Sequence, residues 1–352
     1  MIVEQKEQPL VSFVIPAFNA GEFLRKTIIS CLEQTYQNIE LIIVNDGSTD
    51  NTENIIHEFV SNPKVHYFKN EKNSGLIFSL NRAINLAQGE YIARMDADDI
   101  CTLDRIDKQI HFLKTHTHID IVGGDILLID ENDHPYGRPR ETLNSTEEIE
   151  WSMISSCPLY HPSVVFTKKS VEHIEPSKNI YYESEKIVED LGLWSRSILK
   201  GLKIAVIDDV VLKYRKHQNS LTSQYNTKQI DAAIPVITFY AYSKWTLNLT
   251  PFFIKTIRLR NQIGHPDFLK EAKVHIKALN KNGFKNIAIV AIHDIQSMCL
   301  NYLHQSLTFK QKRSPHESMR HVVRFLLSLE LLPYLPLSIF KYYYGIFRRF
   351  TT

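Results

Sequence analysis

Short apolar runs alternate with helical patterns along the first third of the chain. The first run, Leu10–Ile15, is rich in β-branched residues, and Pro16 separates it from apolar residues that recur at helical spacing. Four further strands are predicted, with helical segments between them, at Ile39–Val44, Val65–Phe68, Tyr91–Met95 and Ile119–Val122. Such alternation predicts an α/β fold in which helices flank a mostly parallel, Rossmann-like sheet.

The alternation becomes irregular beyond Asp125. A hairpin is predicted at Asn132–Gly137, where turn-forming residues cluster. Short apolar runs then follow at Ser163–Phe166, Lys203–Ile207 and Val210–Tyr214. These runs predict strands at a mixed edge of the same sheet.

Length and composition describe a folded protein of more than one unit. At 352 residues the chain exceeds a typical domain, and its pattern becomes mostly helical from about Asn226. We therefore expect one domain over residues 8–221 and a helical C-terminal region over residues 222–352. Hydrophobic residues make up 43% and charged residues 23% of the sequence, a balance typical of a chain with a sizeable core.

Charge and cysteine usage narrow the class of protein. The 41 basic and 39 acidic residues leave a formal charge of +2, which argues against a dedicated nucleic-acid binder. The four cysteines form no C-x-x-C pair, so neither a disulfide framework nor a zinc site is indicated. The first ten residues contain two Glu and no apolar signal core, so we expect a cytoplasmic location.

Several carboxylates occur at positions where a parallel sheet commonly binds its ligands. Ligands of such sheets bind beyond the carboxyl ends of the strands. Three groups of carboxylates occupy candidate positions: Asp46 after the strand at 39–44, Asp96, Asp98 and Asp99 after the strand at 91–95, and Glu189 and Asp190 at the start of a predicted helix. Each group has a plainer alternative, which is a tight turn, a solvated acidic turn and a helix cap, respectively.

The loop Asp96–Asp99 is dense enough in carboxylates to favour a bound cation. Repulsion among its three Asp side chains would be costly without a compensating positive charge, and carboxylate oxygens suit hard divalent ions. An EF-hand is excluded because Cys101 stands where its loop requires Gly. The alternating pattern predicts that the three carboxylate groups converge at one sheet edge.

Four segments together resemble the family 2 glycosyltransferases of the inverting type. These segments are Ser12–Tyr36, Glu40–Thr52, Asn73–Asp99 and Val188–Trp194. The resemblance covers roughly residues 8–221 and implies a GT-A type fold that binds nucleotide-diphospho-sugars. It assigns residues 8–125 to the nucleotide-sugar-binding half and residues 126–221 to the acceptor-binding half.

The same resemblance implies which residues border the donor. They are Pro16, Ala17, Phe18, Asp46, Gly75, Asn81 and Asp96. Phe18 offers an aromatic face for stacking on the nucleobase, and its alternative role is packing in the core.

Metal, base and flanking residues follow from the resemblance as well. Asp96 and Asp98 match the D-x-D element, whose second Asp coordinates a divalent ion, Mn²⁺ or Mg²⁺, that bridges the donor diphosphate. Asp190 matches the general base that deprotonates the acceptor hydroxyl, so the reaction would invert the anomeric configuration. Further site candidates are His161, Glu189, Arg215 and His217. Arg215 or His217 would contact the diphosphate or else lie at the surface.

The implied function is transfer of a sugar from a nucleotide-diphospho-sugar, with UDP as the expected carrier, to a hydroxyl of a saccharide or lipid-linked glycan. Biosynthesis of cell-surface polysaccharide, lipopolysaccharide or capsule is the expected setting. No Q-x-x-R-W element follows Asp190, which favours a single-addition enzyme over a processive synthase.

Two rival functions are weighed against the transferase. A sugar-phosphate nucleotidyltransferase would carry a Gly-rich, Arg-containing phosphate loop after the first strand, where PAFNAGEFL stands instead. A non-catalytic sugar-nucleotide-binding or scaffold protein would lose Asp98 or Asp190, and both are present.

The C-terminal segment Gln311–Thr352 combines positive charge with aromatic and aliphatic residues. Seven basic residues against two Glu give it a net charge of +5, which suits an anionic membrane surface. Charges and prolines such as Glu330 and Pro333 interrupt the roughly 20 apolar residues that a membrane-spanning helix needs. We expect peripheral association with the inner face of the cell membrane, and the alternative is a helix packed on the catalytic domain.

Overall fold

The computed structural model describes residues 8–137, 143, 145–217, 226–260, 262–263, 265–308, 321–322 and 325. The chain divides into two compact units. One comprises Met1–Ile149 and Cys157–Ala233, and the other Glu150–Ser156 and Ile234–Thr352. Most of the expected membrane-binding tail, and the first seven residues on which the expected location rests, lie outside the described residues.

The first unit contains the predicted parallel sheet. Its strands are β1 (Val11–Ala17), β2 (Ile39–Asn45), β3 (Val65–Lys69) and β4 (Tyr91–Arg94), in the spatial order β3-β2-β1-β4. All neighbours in this group pair in parallel, as the alternation predicted. The accompanying helices are α1 (Leu24–Leu32), α2 (Thr52–His57), α3 (Leu76–Leu86) and α4 (Arg105–Thr115). Every residue of β1 and β2 is buried, which explains their nearly continuous apolar character.

The rest of the sheet is mixed. Its strands are β5 (Ile100–Cys101), β6 (Ile121–Ile129), β7 (Pro135–Gly137), β8 (Val165–Thr167) and β9 (Ile204–Arg215). β8 lies between β4 and β6 and is antiparallel to both, whereas β6 and β9 are parallel. The predicted hairpin is confirmed, since β7 pairs antiparallel with β6. The two predicted runs at 203–207 and 210–214 form one strand, β9, whose pairing with β6 shifts register on either side of Asp125.

Three further helices are α5 (Thr146–Ser155), α6 (Lys168–Ile174) and α7 (Glu189–Leu199).

A buried arginine stabilises the end of β4. Arg105 of α4 is fully buried, donates from Nη2 to the carbonyl of Arg94 at 2.9 Å and from Nε to Gln109 at 3.0 Å. Its guanidinium also lies over the ring of Phe13, 5.7 Å from the centroid. Burying this charge is tolerable because the protein supplies its hydrogen-bond partners, and the backbone that leads into the acidic loop is thereby held.

The second unit is helical in the part that the structure describes, as predicted for the C-terminal region. Its helices are α8 (Asn226–Trp245), which this unit contains from Ile234 onward, α9 (Pro251–Leu259), α10 (Pro266–Lys281) and α11 (Lys285–Thr308). Thr250 caps α9 by accepting from the amide of Phe253 at 3.1 Å, and Phe253 stacks on Phe268 of α10. Trp151 donates to Asp294 of α11 at 2.9 Å. Within the described residues, no helix has the length and apolarity needed to cross a bilayer.

Candidate active site

The ends of three parallel strands bring the predicted donor and metal residues to one edge of the sheet. β1 and β2 pair up to Ala17 and Asn45, and β1 pairs with β4 up to Val14 and Arg94. The residues that follow these strands therefore leave the sheet at the same edge. Phe18 is 47% exposed there, so the alternative of a core-packed Phe18 is wrong. Pro16 and Ala17, the last two residues of β1, are buried and directly precede Phe18 in the chain.

Asp46 organises the turn that leads into α3. Its Oδ1 accepts from the side-chain amide of Asn70 at 2.6 Å and from the amide of Ser74 at 2.9 Å, and its Oδ2 accepts from the amide of Gly75 at 2.8 Å. Gly75 has a φ of +94°, a conformation that a residue with a Cβ rarely adopts. Both carboxylate oxygens of Asp46 thus have partners within the protein, as the tight-turn alternative expects, beside the predicted donor edge.

Asn81 of α3 fixes a distant loop. Its Nδ2 donates to the carbonyl of Tyr181 at 2.9 Å, and its Oδ1 accepts from the amide of Tyr181 at 3.1 Å. The amide group therefore holds the backbone of a residue 100 positions away in the chain. This pairing brings Tyr181, for which the sequence offered no pattern, to the active-site edge.

The acidic loop gathers three carboxylates. One ligand oxygen from each of Asp96, Asp98 and Asp99 lies within 4.8 Å of the others. Asp96 pairs with the buried Arg94 at 2.5 Å, and Asp98 accepts from Nε2 of His217 at 2.9 Å. Asp99 Oδ1 accepts from the backbone amide of Arg215 at 2.8 Å, whereas its buried Oδ2 has no hydrogen-bond partner among the described residues.

These carboxylates fit a hard divalent cation. Burial raises the pKa of Asp96, against the opposing effect of Arg94, and the charge of Asp98 adds to the increase. Burial also raises the pKa of Asp99 well above its usual value, assisted by Asp98 and Asp96. Such a group gains stability by taking up a proton or a cation. An all-oxygen set with an unpartnered buried oxygen is the chemistry that Mg²⁺ or Mn²⁺ prefers.

Arg215, at the end of β9, supports the acidic loop from inside the protein. Its Nε donates to the carbonyl of Asp98 at 2.8 Å, its Nη1 to the carbonyl of Asp130 at 2.9 Å, and its Nη2 pairs with Asp133 at 2.6 Å. The guanidinium lies 4.5 Å from the ring centroid of Phe23. Since the side chain is buried, the alternative of a surface role for Arg215 is wrong.

Glu189 and Asp190 are the first two residues of α7. The cap position belongs to Val188, which makes no side-chain cap, so simple N-capping by Asp190 is wrong. Asp190 Oδ1 accepts from the amide of Leu191 at 2.7 Å, and Oδ2 accepts from the thiol of Cys157 at 3.4 Å. The positive end of the helix stabilises a negative charge at this point. The charge of Asp190 adds to the raised pKa of Asp96, behind the larger effect of burial.

His161 links this helix to the loop that Asn81 holds. Its Nε2 lies 2.7 Å from the hydroxyl of Tyr181, and its Nδ1 lies 3.8 Å from Oε1 of Glu189. Burial, assisted by the charge of Arg94, lowers the pKa of His161 well below its usual value, so the ring is neutral. Burial and the charge of Asp190 raise the pKa of Glu189 to about 8.

Arg94, Cys157 and Tyr181 were not among the site residues predicted from the sequence. The position of Arg94, two residues before Asp96, is the one feature that could have indicated it. Cys157 and Tyr181 lie in segments with no periodic pattern, and only the fold brings them next to Asp190 and His161.

Comparison with known sequences identifies relatives of one kind. The model of the family described as glycosyl transferase family 2 matches residues 12–185. An uncharacterized glycosyltransferase of Haemophilus influenzae is 31% identical over 245 residues, which cover 66% of this chain and 74% of that protein. One of Methanocaldococcus jannaschii is 32% identical over 219 residues, which cover 61% of this chain and 73% of that protein.

Comparison with solved structures supports the same fold. S. aureus TarS (residues 1–349) in complex with UDP-GlcNAc matches with a TM-score of 0.56 at 16% identity, covering 92% of each chain. The mannosyltransferase PcManGT from Pyrobaculum calidifontis, in complex with GDP-Man and Mn²⁺, matches with a TM-score of 0.51 at 15% identity. That match covers 92% of this chain and 87% of the other. At these identities the likeness concerns the fold, which is the predicted α/β, GT-A type.

Proposed function

The chain belongs to glycosyltransferase family 2, and from that premise we propose that it is an inverting, metal-dependent transferase that uses a UDP-sugar. The acceptor is a hydroxyl of a saccharide or lipid-linked glycan. One observation carries the proposal: one ligand oxygen from each of Asp96, Asp98 and Asp99 lies within 4.8 Å of the others, in the loop that follows β4. We infer that Asp190, at the start of α7, is the proton acceptor that works beside this candidate cation site. The proposal includes residues 8–221 as the catalytic domain, with donor and acceptor halves at 8–125 and 126–221.

The donor would bind at the ends of β1 and β2. Phe18 presents a half-exposed ring there, and Pro16 and Ala17 form the buried strand end that precedes it. The hydrogen bonds of Asp46 hold Gly75 in place, which shapes the neighbouring backbone. A uridine carrier is supported by TarS, whose structure contains UDP-GlcNAc, whereas the PcManGT structure contains GDP-Man. A guanosine carrier is therefore the second candidate.

Asp98, together with Asp96, would hold a divalent cation, and Asp99 contributes a third oxygen within 4.8 Å of theirs. A bound cation would offset the negative charge that develops on the leaving diphosphate. His217 holds Asp98 through a hydrogen bond, and Arg215 fixes the backbone of the loop at the carbonyl of Asp98. These contacts orient the oxygens before any ligand arrives, which reduces the cost of binding.

Asp190 would act as the general base. It takes the proton of the acceptor hydroxyl as that oxygen attacks the anomeric carbon from the face opposite the diphosphate, so the configuration inverts. The Leu191 amide and the Cys157 thiol each engage one oxygen of this carboxylate and fix its plane. Holding the base in one orientation favours proton transfer along one direction.

A place in the synthesis of cell-surface polysaccharide, lipopolysaccharide or capsule, at the cytoplasmic face of the membrane, is part of the proposal. Support comes from the family membership and from the basic, aromatic segment Gln311–Thr352. A non-catalytic sugar-nucleotide-binding role is the competing function.

The deciding experiment is a donor panel with release of nucleoside diphosphate as the readout. Purified protein is supplied with Mn²⁺, a set of UDP-, GDP- and dTDP-sugars, and a mixture of saccharide and lipid-linked acceptors. Release from a UDP-sugar that depends on acceptor, with inverted anomeric configuration in the product by NMR, is the expected result. Tight donor binding without release under any combination would support the non-catalytic function instead.

A further inference from the structure

Next to the proposed base lies a second, largely buried carboxyl group. The side chain of Glu189 is 14% exposed, and its Oε1 faces Nδ1 of His161 at 3.8 Å. On its far side, His161 meets the hydroxyl of Tyr181 at 2.7 Å. Among the described residues, no lysine or arginine forms an ion pair with Glu189. A buried carboxylate without a cationic partner is costly unless it takes up a proton.

The groups that face Glu189 oppose its ionisation. Asp190 on the same helix and Asp96 after β4 both raise its pKa, beyond the larger effect of burial. Arg94 acts in the opposite direction, yet it is already paired with Asp96. His161 supplies no charge, because burial and Arg94 hold its pKa well below the usual value. Tyr181 keeps its proton, since burial raises its pKa.

We propose that Glu189 is a neutral carboxylic acid in the folded protein at neutral pH, next to the proposed base Asp190 and facing His161, where it positions the saccharide acceptor. This inference rests on the proposed function, in which Asp190 is the base. A protonated Glu189 offers an O–H donor to an acceptor oxygen, which an ionised Glu189 lacks. It also leaves one negative charge, rather than two, at the start of α7, where an anionic donor must approach.

The protonation state is tested directly, without any turnover. Protein labelled with ¹³C at the glutamate carboxyl carbons is titrated by NMR between pH 4 and pH 9, as wild type, Glu189→Gln and Glu183→Gln. Glu183 is exposed on the preceding loop, so its variant is a matched control for the same chemical change. We expect one carboxyl resonance that titrates near pH 8 in wild type and in Glu183→Gln, and that is missing in Glu189→Gln. Titration of every glutamate below about pH 6, near the ordinary range, would overturn the proposal.

The functional consequence is tested by steady-state kinetics from pH 6 to pH 9. In wild type, ionisation of Glu189 above pH 8 adds a negative charge near Asp96, so the KM for the donor should rise by about threefold to tenfold. Glu189→Gln should show no alkaline rise in the KM for the donor, because its amide cannot ionise. Glu183→Gln should follow wild type.

Two outcomes contradict the inference. One is a loss of about a hundredfold or more in kcat for Glu189→Gln at pH 7, which would make Glu189 an ionised base. The other is a KM for the donor that rises above pH 8 in Glu189→Gln as much as it does in wild type. Normal transfer by Asp190→Asn would instead remove the base assignment in the proposed function, while the NMR titration would still decide the state of Glu189.

Discussion

Nε2 of His217 lies 2.9 Å from Oδ2 of Asp98, so the segment after β9 is tied to the carboxylate proposed to hold the cation. The hydrogen bond to Asp98 is the main cause that raises the pKa of His217. The acidic loop is thus held from two directions, by His217 at its side chain and by Arg215 at its backbone. A substitution at Asp98 can therefore remove charge while these supports keep the loop in place.

Asp98→Asn should lose sugar transfer while keeping the fold. The amide oxygen can still accept from His217, but it carries no charge for a divalent cation. We expect at least a hundredfold lower kcat/KM with Mn²⁺ and an unchanged melting temperature. Asp104→Asn, outside the acidic loop, is the matched control and should behave as wild type. Full activity of the wild type in excess chelator would contradict metal dependence.

Asp190→Asn separates a catalytic role from a structural one. The substitution keeps size and shape but removes the proton acceptor, and loss of a general base typically lowers the rate by about 10²–10⁴-fold. The variant should bind nucleoside diphosphate and metal as wild type does, which calorimetry can measure, and transfer sugar at least a hundredfold more slowly. If turnover is normal below the melting transition, Asp190 is not the base.

Stability should depend on pH through Glu189. Its pKa is about 8 in the folded protein and 4.5 as a free side chain, so between these values the unfolded chain has lost a proton that the folded chain keeps. The free energy of unfolding therefore falls as pH rises through this window. Glutamine does not titrate. The free energy of unfolding of Glu189→Gln, relative to that of wild type, should therefore increase by an amount on the order of 3 kcal/mol from pH 4.5 to pH 8. Denaturant titrations at both pH values measure the difference, and parallel curves would argue against a raised pKa.

Arg215→Met should destabilise the first unit. The substitution removes the ion pair with Oδ1 of Asp133 and the side-chain donors to the carbonyls of Asp98 and Asp130, although Lys26 still pairs with the other oxygen of Asp133. Breaking a buried ion pair costs about 3–5 kcal/mol, and the partial exposure of Asp133 reduces this to about 2–4 kcal/mol. Lys216→Met, at the neighbouring exposed position, should cost under about 0.5 kcal/mol. Equal loss in both variants would mean that the contacts of Arg215 carry no special weight.

The expected membrane association of Gln311–Thr352 is tested by removing basic charges rather than by deleting the segment. Val322 and Phe325 are buried, so removing the segment would also remove packed side chains. Replacing Lys341, Arg348 and Arg349 by Gln leaves the side chains of Val322 and Phe325 in place. Each basic residue near an anionic surface contributes about 1 kcal/mol, so vesicle affinity should fall by at least tenfold. If the wild type never sediments with anionic vesicles, the segment has another role.

The local pattern determined the parallel half of the sheet and the location of its chemistry. Alternating apolar runs and helical segments predicted β1 to β4, and parallel strands send their carboxyl ends to one edge, so Asp46 and the acidic loop were predicted to meet there. The structure confirms that edge. These features can be predicted from the sequence because each depends on residues close together in the chain.

Only the tertiary structure decided which residues far apart in the chain contact each other. β8 lies between β4 and β6 as an antiparallel strand, a placement that a strand of three residues cannot specify by its own pattern. Asn81 meets Tyr181, and His161 meets both Tyr181 and Glu189, through contacts between segments 20 to 100 residues apart. The raised pKa of Glu189 follows from that burial and from nearby charges. Sequence supplies the titratable groups, but the desolvation and the neighbouring charges that set their protonation exist only once the chain has folded.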